Sequence, residues 1–210
     1  MVRKTKEDAE ITRQRIINAA REVFLNKGVS RTSLEHVASH AGVTRGAVYW
    51  HFKNKSELFH AMREQIFLPL IDRMDDLLLS ENLLGQNNDP LTRLEASMQH
   101  TIDMLTNHVE TQQTFIVMMS KCEYVDEFAV VLQEMLNNCS DIETKYERIY
   151  TLAQQQNIAT NTLSPKELAV DTHLFFGGLL HMWVKDSEGK RFREQANSLI
   201  STHIRLRRKN

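Results

Sequence analysis

The stretch TSLEHVASHAGVTRGAVYWHF, residues 32–52, constrains this chain more than any other. Two runs at helical spacing are separated by a glycine. Leu34, Val37 and Ala38 follow the 3.6-residue period and stop at Ala41 and Gly42, where a helix end takes left-handed backbone. Thr32 with Glu35 three residues on reads as a capping box that opens this first helix. Thr44 is an N-cap for a second helix of about two turns, RGAVYWHF. Helix, glycine-containing turn, helix is the arrangement that lays its second helix in the DNA major groove.

That second helix has two unlike faces. Val48 and Phe52 are four apart and face inward, while Arg45 and Tyr49 share another stripe with Gly46 and Trp50 beside them. Arg45 can offer two parallel donors to guanine O6 and N7, and Tyr49 an aromatic edge and a hydroxyl. Gly46 and Ala47 carry almost no side chain, so the backbone can approach a duplex closely. Trp50 and His51, with the hydroxyls of Thr44 and Ser33, are candidates for the phosphate backbone. Spacing alone also allows an ordinary amphipathic helix whose aromatics simply pack.

TSLEHVASHAGVTRGAVYWHFKNKSELF resembles the DNA-binding domain of TetR-family transcriptional regulators. With the opening MVRKTKEDAEITRQRIINAA, it is similar to the AcrR-like branch, which represses multidrug efflux pumps. The resemblance covers residues 1–70, with a shorter echo in SKCEYVDEF at 120–128. It implies an all-α fold. Residues 1–70 would be a three-helix, homeodomain-like DNA-binding domain with the helix-turn-helix at 32–52. Residues 71–210 would be a helical ligand-binding and dimerisation domain.

Charge divides in the same way. Residues 1–60 hold 11 Lys/Arg and 6 Asp/Glu, a net of +5, and the rest of the chain 15 and 21, a net of −6. A basic front on an acidic body points to a polyanion partner for the front alone. Only 7 Gly and 3 Pro occur in 210 residues, which favours helices throughout. Cys122 and Cys139 lie seventeen apart and suit a reducing cytoplasm better than a disulfide scaffold. There is no signal-peptide core, and the longest nearly apolar run, 174–184, is too short to span a bilayer, so a soluble cytoplasmic protein is expected.

Further along, Arg3, Lys4 and Lys6 form a short basic arm, and Thr5 with Asp8 opens a long first helix. Its stripe is Ile16, Ala19, Ala20, Val23 and Phe24, closed by Lys27 and Gly28. Asn54 and Glu57 cap a long connector helix, which Pro69 kinks and in whose first turn Lys55 is a candidate phosphate contact. Residues 80–89 form the clearest break in the chain. Asp89 and Pro90 open a helix carrying Leu94, Met98, Ile102 and Leu105, and others are expected over 111–124 and 126–156. Ser164, Pro165 and Glu167 combine N-cap, proline and capping-box acid before a helix with a broad apolar stripe.

The last two helices resemble the family's dimerisation pair. That likeness implies an interface of Phe175, Phe176, Leu179, Trp183, Leu199, Ile200 and His203; the lesser reading on pattern alone is that they only close the monomer's own core. Carried over by position, Phe115, Met118, Met119 and Cys122 would face His173, Gly177 and His181 across a ligand cavity. By periodicity alone the Met/Phe stripe is plain core; it is the resemblance that makes it a pocket for hydrophobic or cationic molecules. Cys122 as a redox switch is a weaker reading, since a lone buried thiol is inert.

No catalytic signature occurs: no P-loop, G-x-G-x-x-G, G-x-S-x-G or H-E-x-x-H. His36 and His40, four apart, are the nearest approach to a metal site and fit hydrogen-bonded or solvated histidines better. Neither enzyme activity, cofactor nor metal is expected. The reading is a homodimeric repressor that binds a near-palindromic double-stranded operator and is released by a small ligand. A regulator of a metabolic operon, or a helical sensor or enzyme that has lost DNA binding, stand as alternatives.

Overall fold

The computed structural model describes residues 6–79 and 89–209. Among these it has nine α-helices: α1 (Lys6–Lys27), α2 (Leu34–Ala41), α3 (Arg45–His51), α4 (Lys55–Leu79), α5 (Pro90–Asn107), α6 (Val109–Ser120), α7 (Ala129–Gln155), α8 (Pro165–Lys185) and α9 (Phe192–Arg205). The basic arm up to Thr5 and the break over 80–88 lie outside the described residues. No described helix is long and apolar enough to cross a membrane.

The chain divides into two compact units. The first joins the N-terminal residues through Leu68 to His108–Leu132, and the second joins Pro69–Asn107 to the residues from Gln133 onward. The first boundary falls at Pro69, within α4.

The first unit is built on α1. Ile16, Ile17, Ala20 and Phe24 are wholly buried, as the stripe in the sequence requires. Each of the two isoleucines and the phenylalanine contributes about 1.5–3 kcal/mol through its burial. Phe24 meets Phe59 of α4 at 6.2 Å, and Phe59 in turn receives Phe128 edge-on at 5.4 Å and Tyr124 at 6.4 Å. A buried cation ties α1 to α6: Arg21 Nε donates to Thr114 Oγ1 at 3.1 Å, with the Glu110 carboxylate 3.6 Å away. The helix expected over 111–124 runs instead from Val109 to Ser120. It stops because the Lys121 carbonyl accepts from the Val29 amide at 2.9 Å, turning KCEYVDEF into a connector that docks on the α1–α2 turn. The next helix accordingly begins at Ala129, after a 3₁₀ turn over Asp126–Phe128.

In the second unit the caps fall where the sequence marks them. Asp89 accepts from the Leu91 amide at 2.9 Å ahead of Pro90, and Ser164 and Glu167 cap α8 reciprocally. Leu91, Leu94, Met98, Ile102 and Leu105 of α5 are buried, as are Tyr146, Ile149, Tyr150 and Ala153 of α7. Arg93, itself buried, turns its guanidinium onto the last-turn carbonyls of α4, Leu77 (3.0 Å from Nε) and Leu78. A polar thread crosses this core. Tyr150 and Thr172 hydroxyls meet at 2.7 Å, Thr172 reaches His203 Nε2 at 3.0 Å, and Phe175 stacks on the His203 ring at 3.9 Å.

That thread corrects the expected dimer surface. Leu179, Trp183, Ile200 and His203 are buried within the chain's own second unit, and Phe175, Phe176 and Leu199 are half-buried. The broad stripe of α8 serves chiefly to receive α9 and α7, so periodicity marked an apolar face without saying which part the same chain covers. The apolar side chains that α8 leaves exposed are Leu174 and Met182, with Gly178 four residues from each.

Candidate nucleic-acid interface

The site is α2, its turn and α3. Ser33, not Thr32, is the N-cap of α2: its Oγ accepts from the His36 amide at 3.3 Å, while His36 Nδ1 accepts from the Ser33 amide at 3.2 Å. Thr32 is buried and donates to the Gly28 carbonyl at 2.8 Å, which takes it out of the capping position. The capping box is therefore Ser33/His36 rather than Thr32/Glu35. Gly42 ends α2 at φ +61°, with its amide turned back on Ala38 and Ser39. A Cβ there would meet only the flexible tip of the Arg15 side chain, so it is the left-handed backbone that calls for glycine.

Thr44 caps α3, its Oγ1 accepting from the Ala47 amide at 3.2 Å. Val48 and Phe52 are buried, and the Arg13 guanidinium lies 5.4 Å from the centre of the Phe52 ring. These two anchors fix the rotation of α3, so the other side points to solvent. There stand Arg45, Gly46, Tyr49 and Trp50, all exposed, with Trp50 at 72 %. His51 is half-buried under the edge of Trp50, ring centres 4.5 Å apart. Arg45 lies 5.3 Å over the Tyr49 ring and pairs through Nε with Glu35 of α2 at 3.0 Å. The result is a short rigid helix with a planar cation, a phenol and an indole on one solvent face, next to an exposed Thr44 hydroxyl. It can place donors and aromatic edges against base edges and phosphates.

Lys55 departs from expectation. Its ammonium donates to the Val29 carbonyl at 3.0 Å, sits 3.8 Å from Glu127 and lies 5.6 Å over Phe128, with the side chain 17 % exposed. It is an internal crosspiece of the first unit rather than a cation held open for phosphate. Lys53, two residues earlier in the same KNK run, is exposed. The histidine pair is also occupied separately, His36 in the cap and His40 Nε2 at 2.6 Å from Glu22.

The residues assigned to a ligand cavity fall in different compact units. Phe115, Met118, Met119 and Cys122 belong to the first, and His173, Gly177 and His181 to the second. Phe115 and Met118 are buried, Phe115 stacked on Phe67 at 5.0 Å, while Met119 and Cys122 are half-buried. Burial pushes the Cys122 thiol up to about 11, which leaves it protonated at neutral pH and unreactive. His173 sits half-buried beside the Tyr146 ring, whereas Gly177 and His181 are exposed.

Two family models match the chain. Residues 16–62 match the bacterial regulatory proteins of the tetR family, and residues 89–208 the C-terminal region of MAATS-type transcriptional repressors. The chain is 30 % identical to the HTH-type transcriptional regulator AcrR of Shigella flexneri, over 98 % of this chain and 94 % of that one. Among solved structures it is similar to NalD, the secondary repressor of the MexAB-OprM multidrug efflux pump in Pseudomonas aeruginosa. The TM-score is 0.82 at 28 % identity, covering 97 % of this chain and all of the other. It is similar too to SmeT, repressor of the Stenotrophomonas maltophilia efflux pump SmeDEF, in its complex with triclosan: TM-score 0.80 at 28 % identity, covering 95 % and 93 %. These are DNA-binding regulators and not enzymes. The exposed face of α3, the capped turn that holds it and both halves of the chain agree on one assignment: the protein belongs to the TetR family of bacterial regulatory proteins.

Proposed function

We propose that this chain is a ligand-released transcriptional repressor of a multidrug efflux operon. A homodimer sets two α3 helices into successive major grooves of a near-palindromic operator, roughly 34–36 Å apart. The observation that carries the reading is the division of α3. Val48 and Phe52 are buried, and Arg45, Tyr49 and Trp50 are exposed on the part of the chain that holds its net positive charge. Arg45 and Tyr49 read bases, while Ser33, Thr44, Gly46, Trp50, His51 and Lys53 lie along phosphates.

Residues 1–70 are the DNA-binding domain and residues 71–210 the ligand and dimerisation domain, with α6 packed against the former. A small hydrophobic or cationic compound held in the helical C-terminal domain lowers DNA affinity by favouring a state that binds the operator poorly. A protein with this partner works in the cytoplasm.

The test is a fluorescence-anisotropy titration against the DNA upstream of the protein's own gene and a scrambled duplex, at two salt concentrations, with triclosan and cationic dyes added. Specific, salt-dependent binding that a drug releases is the expected result. Specific binding that no drug disturbs sinks the efflux assignment and favours a metabolic operon. Equal weak binding to both duplexes sinks the repressor.

A further inference from the structure

We propose that Glu35 is a positioning residue for base recognition: it holds the Arg45 guanidinium by Nε, so that both terminal amino groups stay free for a guanine edge. The inference rests on Arg45 being the base reader. Glu35 stands in the first turn of α2, and its Oε1 lies 3.0 Å from Arg45 Nε across the helix-turn-helix.

Both side chains are exposed, and each has a second neighbour. The proximity of its own backbone amide, and then of the Ser33 hydroxyl, holds the Glu35 carboxylate below the usual carboxylate range. Ser33 is itself fixed by the His36 amide. On the other side Arg45 lies against the Tyr49 ring at 5.3 Å. A chain of contacts thus runs from the α2 cap to the tip of Arg45. Glu35 pairs with the guanidinium at its Nε end, which leaves the donors on Nη1 and Nη2, the fork that matches guanine O6 and N7. An unrestrained arginine would have to freeze several torsions on binding, and it would accept other acceptors along the groove.

The arrangement has an opposite effect on phosphates. A carboxylate beside the reading face repels the polyanion, so Glu35 lowers sequence-blind affinity while raising discrimination. Were Glu35 there only as an acid at the N-terminus of α2, its loss would weaken binding to every duplex alike, in step with the melting temperature.

The experiment selects an operator from a random duplex library with the full-length wild-type protein. Affinities are then measured for that duplex, its single base-pair variants and a scrambled duplex at one salt concentration. The proteins are wild type, Arg45→Ala, Glu35→Ala, Glu35→Gln and the Glu35→Ala/Arg45→Ala double variant. Arg45→Ala is expected to lose about 10- to 100-fold of discrimination at one G·C pair. Glu35→Ala should lose about 3- to 10-fold at that same pair and nothing more in the double variant, because the two residues act as one unit. Glu35→Ala should bind the scrambled duplex as well as wild type or up to about twofold more tightly, one opposing charge having been removed. Glu35→Gln, whose amide oxygen still accepts from Nε, should keep most of the discrimination.

Wild-type discrimination in Glu35→Ala, with Arg45→Ala impaired, overturns the positioning role and leaves Arg45 as reader. A parallel loss on all duplexes in Glu35→Ala overturns it in favour of helix capping. Intact discrimination in Arg45→Ala overturns the reading of Arg45 itself.

Discussion

His203 shows how much a single side chain can hide from the sequence. In the periodicity of α9 it is one more position on an apolar stripe; in the fold it is a buried imidazole between Thr172 and Phe175. Burial, and then the neighbouring Arg207, push it down to about 4, against an opposing pull from Asp171 at 4.0 Å; Tyr150, also nearby, is buried and neutral. The unfolded chain binds this proton near pH 6.5 and the folded chain only near pH 4. Stability from this site is therefore full above pH 6.5 and is lost as the pH falls toward 4, by up to about 3 kcal/mol. Urea melts of wild type and His203→Gln at pH 7.0, 5.5 and 4.5 check it. The difference between the two should shift by most of that amount across the range, and parallel curves would remove the imidazole from the account. Residues on α3 were easier to read, because Val48 and Phe52 differ from Arg45 and Tyr49 in chemistry as well as in spacing. Lys55 was not legible at all. Its partners, the Val29 carbonyl and Glu127, are far away in sequence, and nothing in KNKSEL announces them.

At the scale of elements, local signals held wherever a cap or turn was self-contained. Gly42, Thr44, the Asp89–Pro90 start and the Ser164/Glu167 box all act within four residues of themselves, and each is found where the sequence marks it. They failed where another segment competes. Thr32 is drawn to the Gly28 carbonyl, which moves the cap to Ser33, and Lys121 is drawn to Val29, which ends α6 a turn early. The end of α4 is a third case. Its last-turn carbonyls have no partners within the helix, and Arg93 of α5 supplies them from a buried position. Arg93→Met should keep the volume and lose both donors, at a cost of about 2–4 kcal/mol in urea unfolding, since hydrogen bonds from a buried charge exceed ordinary ones. Arg93→Lys should recover only part, one ammonium being unable to fork to two carbonyls. A loss under about 0.5 kcal/mol for Arg93→Met would mean that water serves the carbonyls as well.

For the molecule as a whole, the deciding quantity is the number of reading helices brought to one duplex. A single α3 makes a small contact, and a palindromic operator rewards two of them only if the protein itself joins them. With Leu179, Trp183, Ile200 and His203 spent on the chain's own core, the surface left on α8 for a second copy is Leu174, Gly178 and Met182, spaced by four. Glycine at the centre of that row lets a facing helix approach closely, and Leu174, 67 % exposed, is the most exposed apolar side chain on it. Leu174→Glu touches nothing in the monomer's interior, so its melting at low concentration should stay within about 0.5 kcal/mol of wild type. Across a two-fold axis it sets carboxylate against carboxylate in an apolar contact, which is destabilising in both copies at once. Sedimentation equilibrium should then show monomer at micromolar protein where wild type is dimer. Operator affinity should fall by about 100-fold or more, the usual worth of tethering two sites, while binding to a scrambled duplex changes little. The salt slope supplies the internal check, because a monomer neutralises half as many phosphates and should show about half the slope. A variant that remains dimeric with an unchanged slope would move the interface off this face of α8. In that event the half-buried Phe175, Phe176 and Leu199 become the next residues to change.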